Sequence, residues 1–200
     1  MDSIPCDVVL LPSPSIAMLA YATSEGLKSQ ETLFTLKEGE YYPHVSLYMV
    51  QLSLDSIEAV RIALERIAQS TPRLKLTPKE FHQELGYFDV EYKRNEIIDS
   101  IQNKVLEEIN PIRDGLRKND QERIKTATGV ELINLQNYGY RSVGSEFAPH
   151  LTLTRFKDEH TKKTVSADLS LFDGEFVSVG LFEMGNNGTC VRKIFEIPLG

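Results

Sequence analysis

The chain has 200 residues, of which 41% are hydrophobic and 26% charged, and its formal net charge is −7. This composition excludes a mainly disordered chain and is enough for one domain with a sizeable core, or one domain made of two similar lobes. No run reaches the apolar length of a membrane-spanning helix, and the acidic balance argues against a general clamp on long nucleic acid, while a small phosphorylated substrate or one end of an oligonucleotide stays compatible.

Residues 6–11, Cys-Asp-Val-Val-Leu-Leu, read as a short buried strand. Ser13-Pro14 then supplies an N-cap and a first-turn proline for a helix over residues 15–28. The apolar stretch 4–22 ends in Ala-Tyr-Ala, but Asp7, Pro12 and Pro14 interrupt it and the first basic residue is Lys28. It therefore reads as strand and helix, with no signal peptide. A turn-rich piece around Gly39 leads into a Tyr- and Val-rich strand over 41–52. Asp55 opens a helix marked by Ile57, Val60, Leu64 and Ile67 and closed by Pro72. Residues 73–76 and 85–92 read as strands around a turn at Pro78. The longest helical pattern starts at Asn95, places Ile97, Ile98, Ile101, Val105, Ile109 and Ile112 on one face, and kinks or ends at Pro111.

Residues 118–125 are charged and suit a loop or short helix; 130–135 read as a strand and 137–145 as a Gly/Tyr loop. A strand over 147–156 and a short helix from Asp158 follow. Two last strands, 175–184 and 189–198, flank Gly-Asn-Asn-Gly at 185–188, a hairpin signal. The pattern is mixed α/β with interleaved elements. The cysteines, Cys6 and Cys190, lack C-x-x-C spacing, which argues against a zinc site and suggests a reducing, cytoplasmic compartment.

A weak internal duplication holds the chemistry. Residues 43–47 are Pro-His-Val-Ser-Leu and 149–153 are Pro-His-Leu-Thr-Leu, each preceded by an aromatic. In a strand, residues i and i+2 share a face. His44 and Ser46 thus point one way while Val45 and Leu47 enter a core; His150 and Thr152 repeat this beside Leu151 and Leu153. A cleft between the copies would hold two imidazoles and two hydroxyls. Imidazoles can act as acid or base near neutral pH, and hydroxyls can hold the non-bridging oxygens of a phosphodiester. No metal or other cofactor is required, and the hydroxyl neighbours are poor transition-metal ligands. His82, in a charged turn region, and His160, in a charged stretch, read as solvated.

The paired motifs resemble those of the two-histidine (2H) phosphoesterase superfamily, which includes 2′-5′ RNA ligase-like proteins and cyclic phosphodiesterases. The stretch from Tyr138-Gly139-Tyr140 to Phe147-Ala148-Pro149-His150 is similar to a subgroup of uncharacterised bacterial members, some associated with phosphonate metabolism. The resemblance implies an α+β fold over residues 1–200, one bilobal domain with antiparallel sheets lining a central cleft and helices outside. It implies His44 and His150 as catalytic residues and Ser46 and Thr152 as phosphate contacts. It also implies hydrolysis or ligation at 2′,5′ or cyclic 2′,3′ phosphodiesters. Analogy gives His44 the acid role and His150 the base role. Tyr42, Tyr48 and Tyr140 are candidates for stacking on a base, and Arg141 and Arg155 for contacting an anion. Strand parity places Arg155 on the far face unless a bulge re-aims it. The expected partner is a small phosphorylated or nucleotide substrate, or an RNA end, bound by a monomer without membrane attachment. Two alternatives are a non-catalytic nucleotide or RNA-end binder of the same fold and a His-based metal enzyme.

Overall fold

The near absence of polar residues in β1 (Ser3–Pro12) follows from its place in the sheet. In the computed structural model, which describes every residue except Met1, Thr161 and Thr164, this strand has a neighbour on each side. Its Cys6, Val8 and Leu10 face the main core, while Val9 and Leu11 face a second, smaller cluster with Phe182 and Cys190. By the same alternation Asp7 falls on the side of Val9.

The chain continues through α1 (Pro14–Leu27), β2 (Thr32–Thr35), β3 (Val45–Ser53), α2 (Ile57–Gln69), β4 (Leu74–Leu76), β5 (Pro78–Glu84), β6 (Tyr87–Tyr92) and α3 (Glu96–Ile109). Then come α4 (Lys118–Arg123), α5 (Gly129–Tyr138), β7 (His150–Phe156), β8 (Gly174–Met184) and β9 (Cys190–Pro198). Among the described residues nine strands form one sheet in the order β4-β8-β1-β3-β7-β6-β5, with β9 beside β8 and β2 beside β7. Its pairings are antiparallel. The expected α+β architecture is present, with the two lobes as halves of a single sheet. They meet at one residue pair, Val45 with Leu151. These residues hold the same place in their motifs, so the pseudo-two-fold passes between them.

Each motif strand carries a bulge at its motif's last residue. On β3, Ser46 pairs Val9 and Tyr48 pairs Val8, leaving Leu47 extra; on β7, Thr152 pairs Asp89 and Thr154 pairs Phe88, leaving Leu153 extra. A bulge takes backbone groups out of the ladder, and buried carbonyls need other partners. Gln102 Nε2 of α3 donates to the Leu47 carbonyl at 3.1 Å, and Ser24 Oγ of α1 donates to that of Leu153 at 2.7 Å. Gln102 and Ser24 are themselves buried, which explains these two polar residues on otherwise apolar helix faces.

Several elements differ from the sequence reading. Residues 130–135 lie in helix α5, ended by Gly139 in the left-handed region at φ 66°, and are not a strand. Strands β2 and β5 were not expected; Pro78 opens β5 as its first residue instead of marking a turn. Residues 41–44 precede β3 as extended chain. No helix starts at Asp158 among the described residues; its carboxylate accepts from the His160 N–H at 2.9 Å in a bend. The Asn95 cap formed as expected, its side chain accepting from the Ile98 N–H. Among the described residues, no helix is long and apolar enough to cross a membrane.

Candidate active site

Antiparallel pairing of Val45 with Leu151 sets His44 opposite Thr152 and Ser46 opposite His150. Neighbouring strands lie about 4.8 Å apart and residues i and i+2 about 6.7 Å apart. The four side chains therefore rise from a backbone rectangle of roughly phosphate size. Each imidazole stands across from the hydroxyl of the other motif. Val45, Leu47, Leu151 and Leu153 are fully buried on the opposite side, as the alternation requires. His44 and Thr152 line a narrow cleft with Tyr41, Tyr42 and, from the hairpin between β8 and β9, Asn187 and Thr189.

The two imidazoles are held identically. His44 Nδ1 lies 2.7 Å from the carbonyl of Tyr42, and His150 Nδ1 lies 2.7 Å from the carbonyl of Ala148. A carbonyl only accepts, so each Nδ1 carries a proton, and Nε2 is left as the nitrogen that can gain or lose one. Pro43 and Pro149 follow those carbonyl residues, and a proline holds its preceding residue in extended chain. This local rule shapes both hooks.

The surroundings of the two histidines differ. Behind His44 stands Asp7, completely buried, whose Oδ2 accepts from Ser46 Oγ at 2.6 Å and lies 3.6 Å from His44 Nε2. Its Oδ1 has no hydrogen-bond partner. Loss of water pushes the Asp7 carboxyl up to about 7, against the pull of Ser46, Arg117 and His150. Burial pushes His44 down to about 4, with His150 contributing in the same direction. His44 is therefore neutral at neutral pH. Ser46, expected to give its hydroxyl proton to a phosphate, gives it to Asp7 here.

Of the other predicted residues, Tyr42 reaches the cleft, its ring 5.1 Å from that of Phe182. Tyr48 does not line it; fully buried, it donates to the Tyr138 carbonyl at 2.6 Å, because the bulge at Leu47 turns it into the core. Tyr140 is buried against Tyr48 with Arg117 over its ring. Arg141 is exposed and 3.9 Å from Glu131. The bulge at Leu153 re-aims Arg155, which donates to Asn187 Oδ1 at 2.9 Å and so braces the hairpin that walls the cleft. His82 lies on β5, 4.0 Å from Asp89, instead of in a turn, and His160 is exposed.

Sequence reasoning missed two charged residues near the site. Asp7 left one signal, a lone charge inside an apolar strand. Arg117, before α4, is almost fully buried, meets Asp120 at 2.5 Å, and acts electrostatically on Asp7; an isolated arginine in a charged stretch gives no such signal. Among the described residues, one group of potential metal-binding atoms occurs: an oxygen of Asp7, a nitrogen of His44 and the Cys190 sulfur, within 4.8 Å of one another. Burial holds the Cys190 thiol well above its ordinary value, and the Asp7 oxygen is engaged by Ser46, so the group is set up to hold protons.

The fold is that of the two-histidine phosphoesterases. E. coli LigT complexed with 3′-AMP is 13% identical, with 99% of each chain covered and a TM-score of 0.59. E. coli LigT complexed with phosphate is 11% identical over 100% of this chain and 99% of that one, with a TM-score of 0.57. TT0787 of Thermus thermophilus is 11% identical over 98% of each chain, with a TM-score of 0.59. No curated protein sequence matches this one. The chain belongs to the DUF1045 family, described as proteins of unknown function, whose model matches residues 52–179.

Proposed function

We propose that this protein is a metal-independent phosphodiesterase acting on a cyclic phosphate or a 2′,5′-linked nucleotide-type phosphodiester. One observation supports the reading: two imidazoles, each held by a 2.7 Å bond from Nδ1 to the carbonyl two residues earlier, flank the one residue pair, Val45 with Leu151, at which the two motif strands meet. E. coli LigT, which shares the fold, has been crystallised with phosphate, 3′-AMP, ATP and NADP+, which supports a small nucleotide-type ligand.

In this reading one imidazole removes a proton from water as its oxygen bonds to phosphorus. The other protonates the sugar oxygen as its bond to phosphorus breaks. Burial favours neutral His44, so His44 is the base and His150 the acid, the reverse of the analogy-based assignment. Thr152 and Ser46 donate to the non-bridging oxygens. Purified protein incubated with 2′,3′-cyclic nucleotides and short 2′,5′- and 3′,5′-linked oligonucleotides should release phosphomonoesters. It should do so in EDTA with a bell-shaped pH profile, since one imidazole must be neutral and the other protonated. Strict dependence on an added divalent ion, or no turnover across the panel, would refute the reading.

A further inference from the structure

Ser46 has one hydroxyl proton, and in this structure it points at Asp7. A hydroxyl spent on a carboxylate cannot also donate to a phosphate oxygen. If Asp7 is protonated the bond can reverse: the carboxylic O–H donates to Ser46 Oγ, and the Ser46 proton is free to turn into the cleft. The 2.6 Å separation suits either direction. We infer that Asp7 is a positioning residue whose protonation turns the Ser46 hydroxyl from the protein interior to the anion, so that phosphate binding takes up a proton. The inference concerns the same site as the proposed function and rests on that reading for its role in turnover, though not for anion binding.

Burial makes a carboxylate costly at Asp7, against the pull of Ser46, Arg117 and His150 among the groups around it. From β3 and the residue before it come Ser46 and His44; β7 brings His150, β9 brings Cys190, and β1 itself brings Cys6. Tyr140 and Arg117 lie on the remaining side. Glu183 of β8 faces Cys6. Arg117 is the sole fixed cation in this set, and it is tied to Asp120. The thiols and the phenol are held protonated by burial, and His44 is neutral, so none of them compensates a charge on Asp7. Its ordinary value is raised into the neutral range, where a ligand can decide its state. The orphaned Oδ1 fits this reading, since among the described residues Asp7 has one hydrogen-bond partner, Ser46, and no second donor.

The probe is sulfate, a dianion throughout the pH range of interest, titrated calorimetrically from pH 5 to 9. Wild-type affinity should fall by roughly 10-fold or more as pH rises through neutrality, the scale of one hydrogen bond to a charged group. Asp7→Asn keeps the shape, stays neutral and can donate to Ser46 Oγ, so it should hold its affinity to higher pH. In a Ser46→Ala background, Asp7→Asn should change affinity little, which separates hydroxyl turning from simple charge repulsion. An unchanged pH slope in Asp7→Asn, an equal effect with and without Ser46, or no sulfate binding would overturn the inference. A second measurement needs no variant: the Asp7 carboxyl 13C resonance should titrate near neutrality and move toward the protonated position when sulfate is added. Titration in the ordinary acidic range would overturn it too. Sulfate binding with this pattern in a protein that cleaves no phosphodiester would leave the inference standing and remove the enzymatic reading.

Discussion

Ser46 stands against a fully buried carboxyl at 2.6 Å, whereas Thr152 is paired across the strands with Asp89, whose carboxylate is 4.0 Å from a half-exposed His82. In the backbone the two halves are near copies: the same bulge, the same helix-borne donor to the bulged carbonyl, the same hook on Nδ1. The difference lies in what stands behind the hydroxyl. Acid–base chemistry needs two groups in unlike protonation states, and a strict two-fold would make them alike. The backbone holds both imidazoles by the same hook, and the burial of His44, beside Asp7 of β1, sets it apart.

The most damaging test of this comparison removes the imidazoles. His44→Ala and His150→Ala should each lower kcat by roughly 10²–10⁴-fold on a cyclic phosphate, the usual worth of a positioned acid or base. The double variant should lose far less than the product of the two, because the residues act as a unit. A small effect of either change would mean that one half is dispensable. The next test separates the roles. A p-nitrophenyl phosphodiester leaves without needing a proton, so it should restore His150→Ala by roughly 10-fold or more over His44→Ala. Preferential rescue of His44→Ala would exchange the assignment. The smallest effects come from the bulge anchors. Ser24→Ala leaves the Leu153 carbonyl and the Leu36 N–H unpaired, and Gln102→Ala leaves the Leu47 and Ser142 carbonyls unpaired. Each should cost about 1–3 kcal/mol in urea unfolding. Similar costs would show that the two bulges are equivalent features, and a cost near zero at one would single it out.

The motif residues were legible in the sequence because the information is local. Five residues repeat, and period-two alternation alone sends His44, Ser46, His150 and Thr152 to one face. Helices α2 and α3 were legible for the same reason, through apolar spacing and the Asn95 cap. The failures have physical causes. Strand β5 is polar and exposed along much of its length, as an edge strand starting with proline can be. Helix α5 carries Val130, Leu132 and Ile133, which suit a strand, and its helical state rests on the Gly139 stop and on Asn134, buried and donating to the Arg141 and Val143 carbonyls. The bulges left no trace beyond adjacent buried residues, Leu47-Tyr48 and Leu153-Thr154, and they decide where Tyr48 and Arg155 point. Asp7 gained its meaning only when β1 was paired with β3, a long-range event that no window of sequence displays.

The Asp7–His44 pair also makes folding a proton transfer. In the unfolded chain near pH 5 the imidazole, at 6.5, holds the proton and the carboxyl, at 3.8, does not; in the folded chain the order is inverted, with Asp7 near 7 and His44 near 4. Asp7 alone would make stability fall as pH rises from about 4 to 7, because the folded state binds the extra proton there. His44 alone would make stability rise from about 4 to 6.5, because the unfolded state does. Over their common window the two slopes cancel: a cation and an anion in the open chain become two neutral groups in the fold, with no net exchange with solvent. Stability should therefore be insensitive to this pair between about pH 4 and 6.5. His44→Gln should expose the Asp7 slope, seen as a urea midpoint that declines steadily towards pH 7.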